Sequence, residues 1–176
     1  RAGTGSELTH IITGMTRSPI VWRHLRDVAD TQLGLVTAAQ LAELGIRTGV
    51  TSRRVAGGMW TRVLPGVHLV DGGNPNRLQR EYAAYLYAGP GSQVTGLTAM
   101  RHHGVRAVDL QSARVAGQPG VEPAHLLIES SRRRLSTSYA RIERTGRLPE
   151  PVRVAGVPMP LSPVARAVAD AVGPQL

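Results

Sequence analysis

Glycine and proline punctuate the first 75 residues so closely that neither a long helix nor a long strand fits there. Gly34, Gly45, the pair Gly57-Gly58, the turn Pro65-Gly66 and the run Asp71-Gly72-Gly73-Asn74-Pro75 leave only short segments between them. The fold class therefore rests on what each short segment carries, and on how one ends and the next begins.

Ser18-Pro19 opens a first helix, since proline is tolerated in a helix's first turn. Val21, Leu25, Val28 and Ala29 then recur at helical spacing, and Gly34 ends the segment. Leu35-Val36 is a short extended step. Thr37-Ala-Ala-Gln40 has the spacing of a capping box, in which the Thr hydroxyl accepts from the third amide and Gln reaches back to the cap. A second helix starts there, with Leu41 and Leu44 inward and Gly45 as its left-handed close. After the turn Ile46-Arg47, Thr48 reads as a second polar cap. A third helix runs to about Ala56, with Val50 and Val55 inward and Thr51, Ser52, Arg53 and Arg54 around the remaining face. Residues 60–64 and 67–70 are β-rich runs on either side of Pro65-Gly66, the pattern of a hairpin. Helix, helix, turn, helix, hairpin is the order of a winged helix-turn-helix over residues 19–71. Residues 1–18, rich in Gly, Thr and Ser and without periodicity, read as a flexible leader in which Met15 is a candidate start.

Beyond Pro75 the pattern changes to a small α/β domain over residues 76–176. A helix is expected over 76–88, with Leu78, Tyr82, Tyr85 and Leu86 on a core. A shorter one spans 95–103 and closes at Gly104. Strands are expected over 105–110, 125–129, 139–143 and 152–159, the last with a turn at Ala155-Gly156. A final helix after Ser162-Pro163 carries Val164, Val168, Ala171 and Val172. Gly173-Pro174 follows it at once, leaving open a parent protein that continues. The predicted class is α+β: an N-terminal winged helix-turn-helix followed by a small α/β domain.

Charge carries the first functional signal. The net charge is +9, and all 21 basic residues are Arg because the chain has no Lys. Lys replacement by Arg fits a GC-rich genome, but that does not explain the excess over acids. Arginine's planar fork suits phosphate and the edge of guanine. Without Lys there is no P-loop or Schiff-base chemistry. Without Cys there is no disulfide, thiolate nucleophile or thiolate-ligated metal. Adjacent His102 and His103 point about 100° apart on a helix and do not chelate one ion as an i, i+4 pair does. No nucleophile elbow and no carboxylate dyad is evident. The sequence thus calls for no enzyme, cofactor or metal. No apolar run approaches the ~20 residues that span a bilayer, and no signal peptide is evident, so a cytoplasmic protein is expected.

In a helix-turn-helix the third helix enters the major groove by its N-terminal end. Thr48, Ser52 and Arg53 are therefore the expected base readers, with Thr51 beside them. Arg47 and Arg54 are placed to hold phosphate, and Arg62 and His68 on the wing to reach the backbone beside the groove. Trp60 reads as a core plug under the wing, Arg132-Arg133-Arg134 as a solvated loop, and Arg166 and Asp170 as an i, i+4 pair.

The ordered motifs Gln32-Leu-Gly-Leu-Val-Thr37, Ala39-Gln-Leu41, Arg53-Arg54-Val55 and Gly66-Val67 resemble the N-terminal domain of the AbiEi family. These are antitoxins and transcriptional regulators of type IV, abortive-infection toxin–antitoxin systems. The likeness continues through Gly89-Pro90, Val94-Thr95, Ala99, Gly104, Gly156-Val-Pro158, Ser162-Pro163, Ala165-Arg166 and Asp170. It implies a winged helix-turn-helix joined to a domain for oligomerisation or partner contact. It further implies autoregulation through an inverted-repeat operator in double-stranded DNA, with a cognate toxin and a homodimer as protein partners. Gly49 departs from the pattern, as relatives carry a larger residue there, and His68 stands where Tyr is common. The alternative is a protein-interaction module of a defence or nuclease-type protein, in which the winged helix docks a partner.

Overall fold

The computed structural model describes residues 19–105 and 120–172. The expected leader (1–18) and residues 106–110 of one expected strand lie outside them. The described residues form a mixed α+β fold with six helices and two three-stranded sheets. The chain divides into two compact units at Pro75 and Asn76.

In the first unit, α1 (Pro19–Thr31) is followed by β1 (Leu35–Thr37), α2 (Ala38–Glu43), α3 (Thr48–Ala56), β2 (Thr61–Leu64) and β3 (Val67–Leu69). Leu33 and Gly34, both left-handed at φ 58° and 81°, turn the chain from α1 into β1. Thr37 caps α2 as its spacing predicts: its hydroxyl accepts from the Gln40 amide, and Gln40 Oε1 accepts from the Thr37 amide at 2.8 Å. The hairpin β2–β3 forms across Pro65-Gly66 with a register shift between Arg62 and Leu64. The extended step β1 joins it antiparallel, so β3 is the central strand and is buried throughout. Leu25 and Ala29 of α1, Val36, Leu41, Ile46 and Trp60 make the core, which confirms Trp60 as a plug.

The second unit comprises α4 (Arg77–Ala88), β4 (Gln93–Val94), α5 (Gly96–His102), β5 (Ala124–Glu129), β6 (Ala140–Thr145) and α6 (Val164–Val172). Strand β5 lies centrally, antiparallel to β4 and parallel to β6. Asn76 and Gln79 form a second capping box, at the start of α4. Two expectations are corrected here. Of the expected core residues of α4, Tyr82 is buried but Leu78, Tyr85 and Leu86 are only half-buried, while Glu81, Ala83, Ala84 and Ala88 are buried as well. Residues 152–159 form no strand; Val152 makes a single bridge to Leu161. Helix α6 buries Ala167 and leaves Val164, Val168 and Val172 exposed.

Polar side chains inside this unit find one another. Glu81, almost wholly buried, accepts from Arg101 at 2.9 Å and meets His102 Nε2 at 2.7 Å. Asp170 takes Arg166 Nε at 2.7 Å, as its spacing predicts, and also the Thr95 hydroxyl, which accepts from Ser162. His103 Nε2 lies 2.8 Å from the Ser162 carbonyl, so the adjacent histidines serve different networks. Arg132 is no solvated charge: it donates to the Ala88 and Pro90 carbonyls at 2.7 and 2.6 Å, closing the C-terminal end of α4. Arg134 lies over the Tyr87 ring at 4.9 Å.

Candidate nucleic-acid interface

Helix α3 presents one exposed stripe: Thr48, Gly49, Ser52, Arg53 and Ala56. These positions are related by steps of one and four residues, so they share a face at about 100° per residue. The opposite face carries Val50, Thr51, Arg54 and Val55, of which both valines pack against the core cluster. Thr51, expected among the readers, is only 7% exposed and belongs to that inward face.

Arg54 also turns inward. Its guanidinium lies 4.1 Å from the Trp22 ring centre and 5.4 Å from that of Trp60. A guanidinium over indole faces is attracted by the ring quadrupole, so Arg54 ties the end of α3 to α1 and the core plug. Arg54 thus lies off the exposed stripe of α3, half-buried against the indoles.

Arg47, not Thr48, occupies the cap position of α3. Its backbone is extended (φ −71°, ψ 149°) and its side chain makes no capping bond. The first intrahelical bonds run from Val50 and Thr51 back to the Arg47 carbonyl. Among the described residues, the amides of Thr48 and Gly49 have no partner, which leaves the positive end of the helix dipole open to an anion. Exposed Arg47 stands immediately before these amides, and exposed Thr48 carries one of them.

Among the described residues, nothing requires a glycine at position 49. Its backbone is not left-handed, and a Cβ added there meets no atom within 4 Å. Glycine in a helix costs about 0.5–1 kcal/mol relative to alanine, so the position gives up stability while keeping the backbone bare. In the sequence Gly49 stands out only as a departure from a family pattern, because its exposure on the helix face leaves no local signal.

Ser52 is exposed. Arg53 is exposed too, and its Nε donates to the Gly49 carbonyl at 3.2 Å, leaving both terminal nitrogens free for a bidentate contact. Arg62 is exposed on β2. Its register partner His68 is corrected: the ring is buried, lies 6.4 Å from Trp60 and leaves Nδ1 without a partner. Burial lowers the His68 pKa below its ordinary value, and the charge of Arg62 lowers it further. His68 is thus neutral at physiological pH and belongs to the interior.

The structure therefore groups Arg47, Thr48, Ser52 and Arg53 at one exposed helix face, with Arg62 exposed on the hairpin, and places buried Thr51 and His68 and half-buried Arg54 off that surface. The net charge is not concentrated in this unit, since 13 of the 21 arginines and seven of the 12 acidic residues follow Pro75. Several of those later arginines are committed internally, as Arg101, Arg132 and Arg166 show. Among the described residues, no cluster of His, Asp or Glu is placed to hold a metal ion, and no helix is long and apolar enough to cross a membrane. No family model matches the chain, and comparison with curated proteins finds no match to it.

Proposed function

We propose that the chain is a sequence-specific regulator that binds double-stranded DNA, with residues 19–71 acting as a winged helix-turn-helix. The single observation that carries this reading is the bare N-terminal end of α3: two unpartnered amides, a glycine that no packing demands and an exposed arginine cap meet on one face. A phosphate seated there accepts from the amides of Thr48 and Gly49 and from Arg47. With that register, Ser52 and Arg53 reach base edges in the major groove, and Arg62 on the β2–β3 wing meets the flanking backbone.

The more specific form of the proposal is an autoregulating antitoxin of the AbiEi kind, bound to an inverted repeat in the promoter of its own operon, with a cognate toxin as partner. Homodimerisation supplies the two-fold symmetry that an inverted repeat needs. The reading assigns the chain no catalytic role and places it in the cytoplasm, where its operator is. The second unit then serves protein contacts. The alternative is a protein-interaction module with no DNA affinity, in which the winged helix itself docks a partner protein.

Selection of duplexes from a random library, followed by anisotropy titration of the winners, tests the proposal. A selected site bound at least about 10³-fold tighter than random duplex, with discrimination lost in Arg53→Ala, supports it. Failure to enrich any sequence at physiological salt refutes it, and capture of a neighbouring gene's product without DNA affinity favours the docking module.

A further inference from the structure

Both tryptophans of the chain line one cavity of about 250 Å³ in the first unit. Leu25, Ala29 and Val70 complete its apolar wall. Four charged side chains stand around it: Arg26 and Asp30 from α1, Arg54 from α3, and Asp71 just after β3. Two charges of each sign share this cavity, yet among the described residues no ion pair joins any of them. Arg54 rests on the Trp22 face and otherwise makes only a long contact, 3.9 Å, to Met59 Sδ. Its guanidinium therefore keeps most of its five donors unused.

The cavity's size and charges narrow what it takes. Pockets for drug-sized ligands begin at about 300 Å³, so this one suits a smaller molecule of amino-acid dimensions. A simple anion answers the arginines and is repelled by the two carboxylates; a simple cation meets the converse. A zwitterion answers both pairs, and an apolar body lies against the indoles.

We propose that this cavity binds a small zwitterion with an apolar or aromatic body, its anionic end on Arg54 and Arg26 and its ammonium on Asp30 and Asp71. The site is built from the first unit alone and stands whether or not that unit binds DNA.

Because Trp22 and Trp60 are the only tryptophans, indole emission reports on this cavity directly. The full chain is titrated with L-phenylalanine, and with phenylpropionate and phenylethylamine, which each keep one of its two charges. The expected result is a saturable change with L-phenylalanine and about tenfold weaker responses to the other two. Asp30→Asn, on the exposed rim, weakens L-phenylalanine about fivefold or more without changing the far-UV circular dichroism, and Arg54→Gln does the same from the anionic side. A flat L-phenylalanine titration overturns the site. Equal responses to all three probes overturn the zwitterion assignment. Unaltered affinity in both variants overturns the placement.

Discussion

Gly49→Ala separates what the fold needs from what the proposed interface needs. Residue 49 is the second residue of α3, its backbone is not left-handed, and a methyl group there meets nothing within 4 Å. Alanine therefore adds no clash and restricts the unfolded chain, for a gain of about 0.5–1 kcal/mol. In a unit of this size that gain raises the Tm by about 2–8 °C. On DNA the effect reverses. The added methyl stands between the Gly49 amide and an incoming phosphate, and a lost hydrogen bond to a charged group is worth about 1.5–3 kcal/mol, or about tenfold and more in affinity. The assay pairs a urea or thermal melt followed by tryptophan emission with anisotropy on a selected duplex. Gly45→Ala is the internal control: space is open there too, but φ is +73°, so alanine destabilises by about 1–2 kcal/mol. A Gly49→Ala protein that is more stable and binds DNA as tightly as the parent refutes the phosphate site; one that is less stable refutes the reasoning about the helix.

Thr37→Ala removes the side-chain half of the α2 capping box and costs about 1 kcal/mol, read as a lower urea midpoint. Arg62→Ala weakens all duplexes alike and flattens the slope of log K against log salt by about 0.9, whereas Arg53→Ala changes which sequences are preferred. Arg54→Ala lowers the stability of the first unit more than Arg53→Ala does, because only Arg54 rests on Trp22 and Trp60. The native pKa of His68 lies below its unfolded value, so the unfolded chain binds the extra proton; stability is fully present above about pH 6.5 and falls as pH drops toward the lowered native pKa. Urea melts by tryptophan emission between neutral and mildly acid pH show that loss, and His68→Gln reduces it.

Local signals were the legible ones. The Thr37 and Gln40 spacing, the Pro65-Gly66 turn and the breaker at residues 71–75 each act within a few residues, and each stands where the sequence places it. The face of α3 is legible as well, although the polarity of Thr51 and Arg54 points them outward. Once Val50 and Val55 face the core, residues 51 and 54 fall on the arc between them at about 100° per residue. The polarity of Thr and Arg obscured a geometric consequence, since a long arginine buries its stem and guanidinium against indole without losing its charge. His68 was hidden for another reason: period-two alternation puts it on the outer face of β3, yet all three residues of that strand are buried and the His68 ring lies beside Trp60. In the second unit the valines of α6 do not mark its buried side: Ala167 is the buried residue, and Asp170, three residues on, meets Thr95. Such long-range polar contacts leave no local pattern in the chain.

The central claim is that DNA meets the exposed stripe of α3 and the β2–β3 wing. Amide chemical shifts of the isotope-labelled full chain, recorded with and without a selected duplex, test it residue by residue. The account predicts that the largest changes fall on Arg47, Thr48, Gly49, Ser52 and Arg53, with a second group around Arg62, while Thr51 and Val55 move little. Changes confined to residues 76–172, or spread evenly over both units, contradict it.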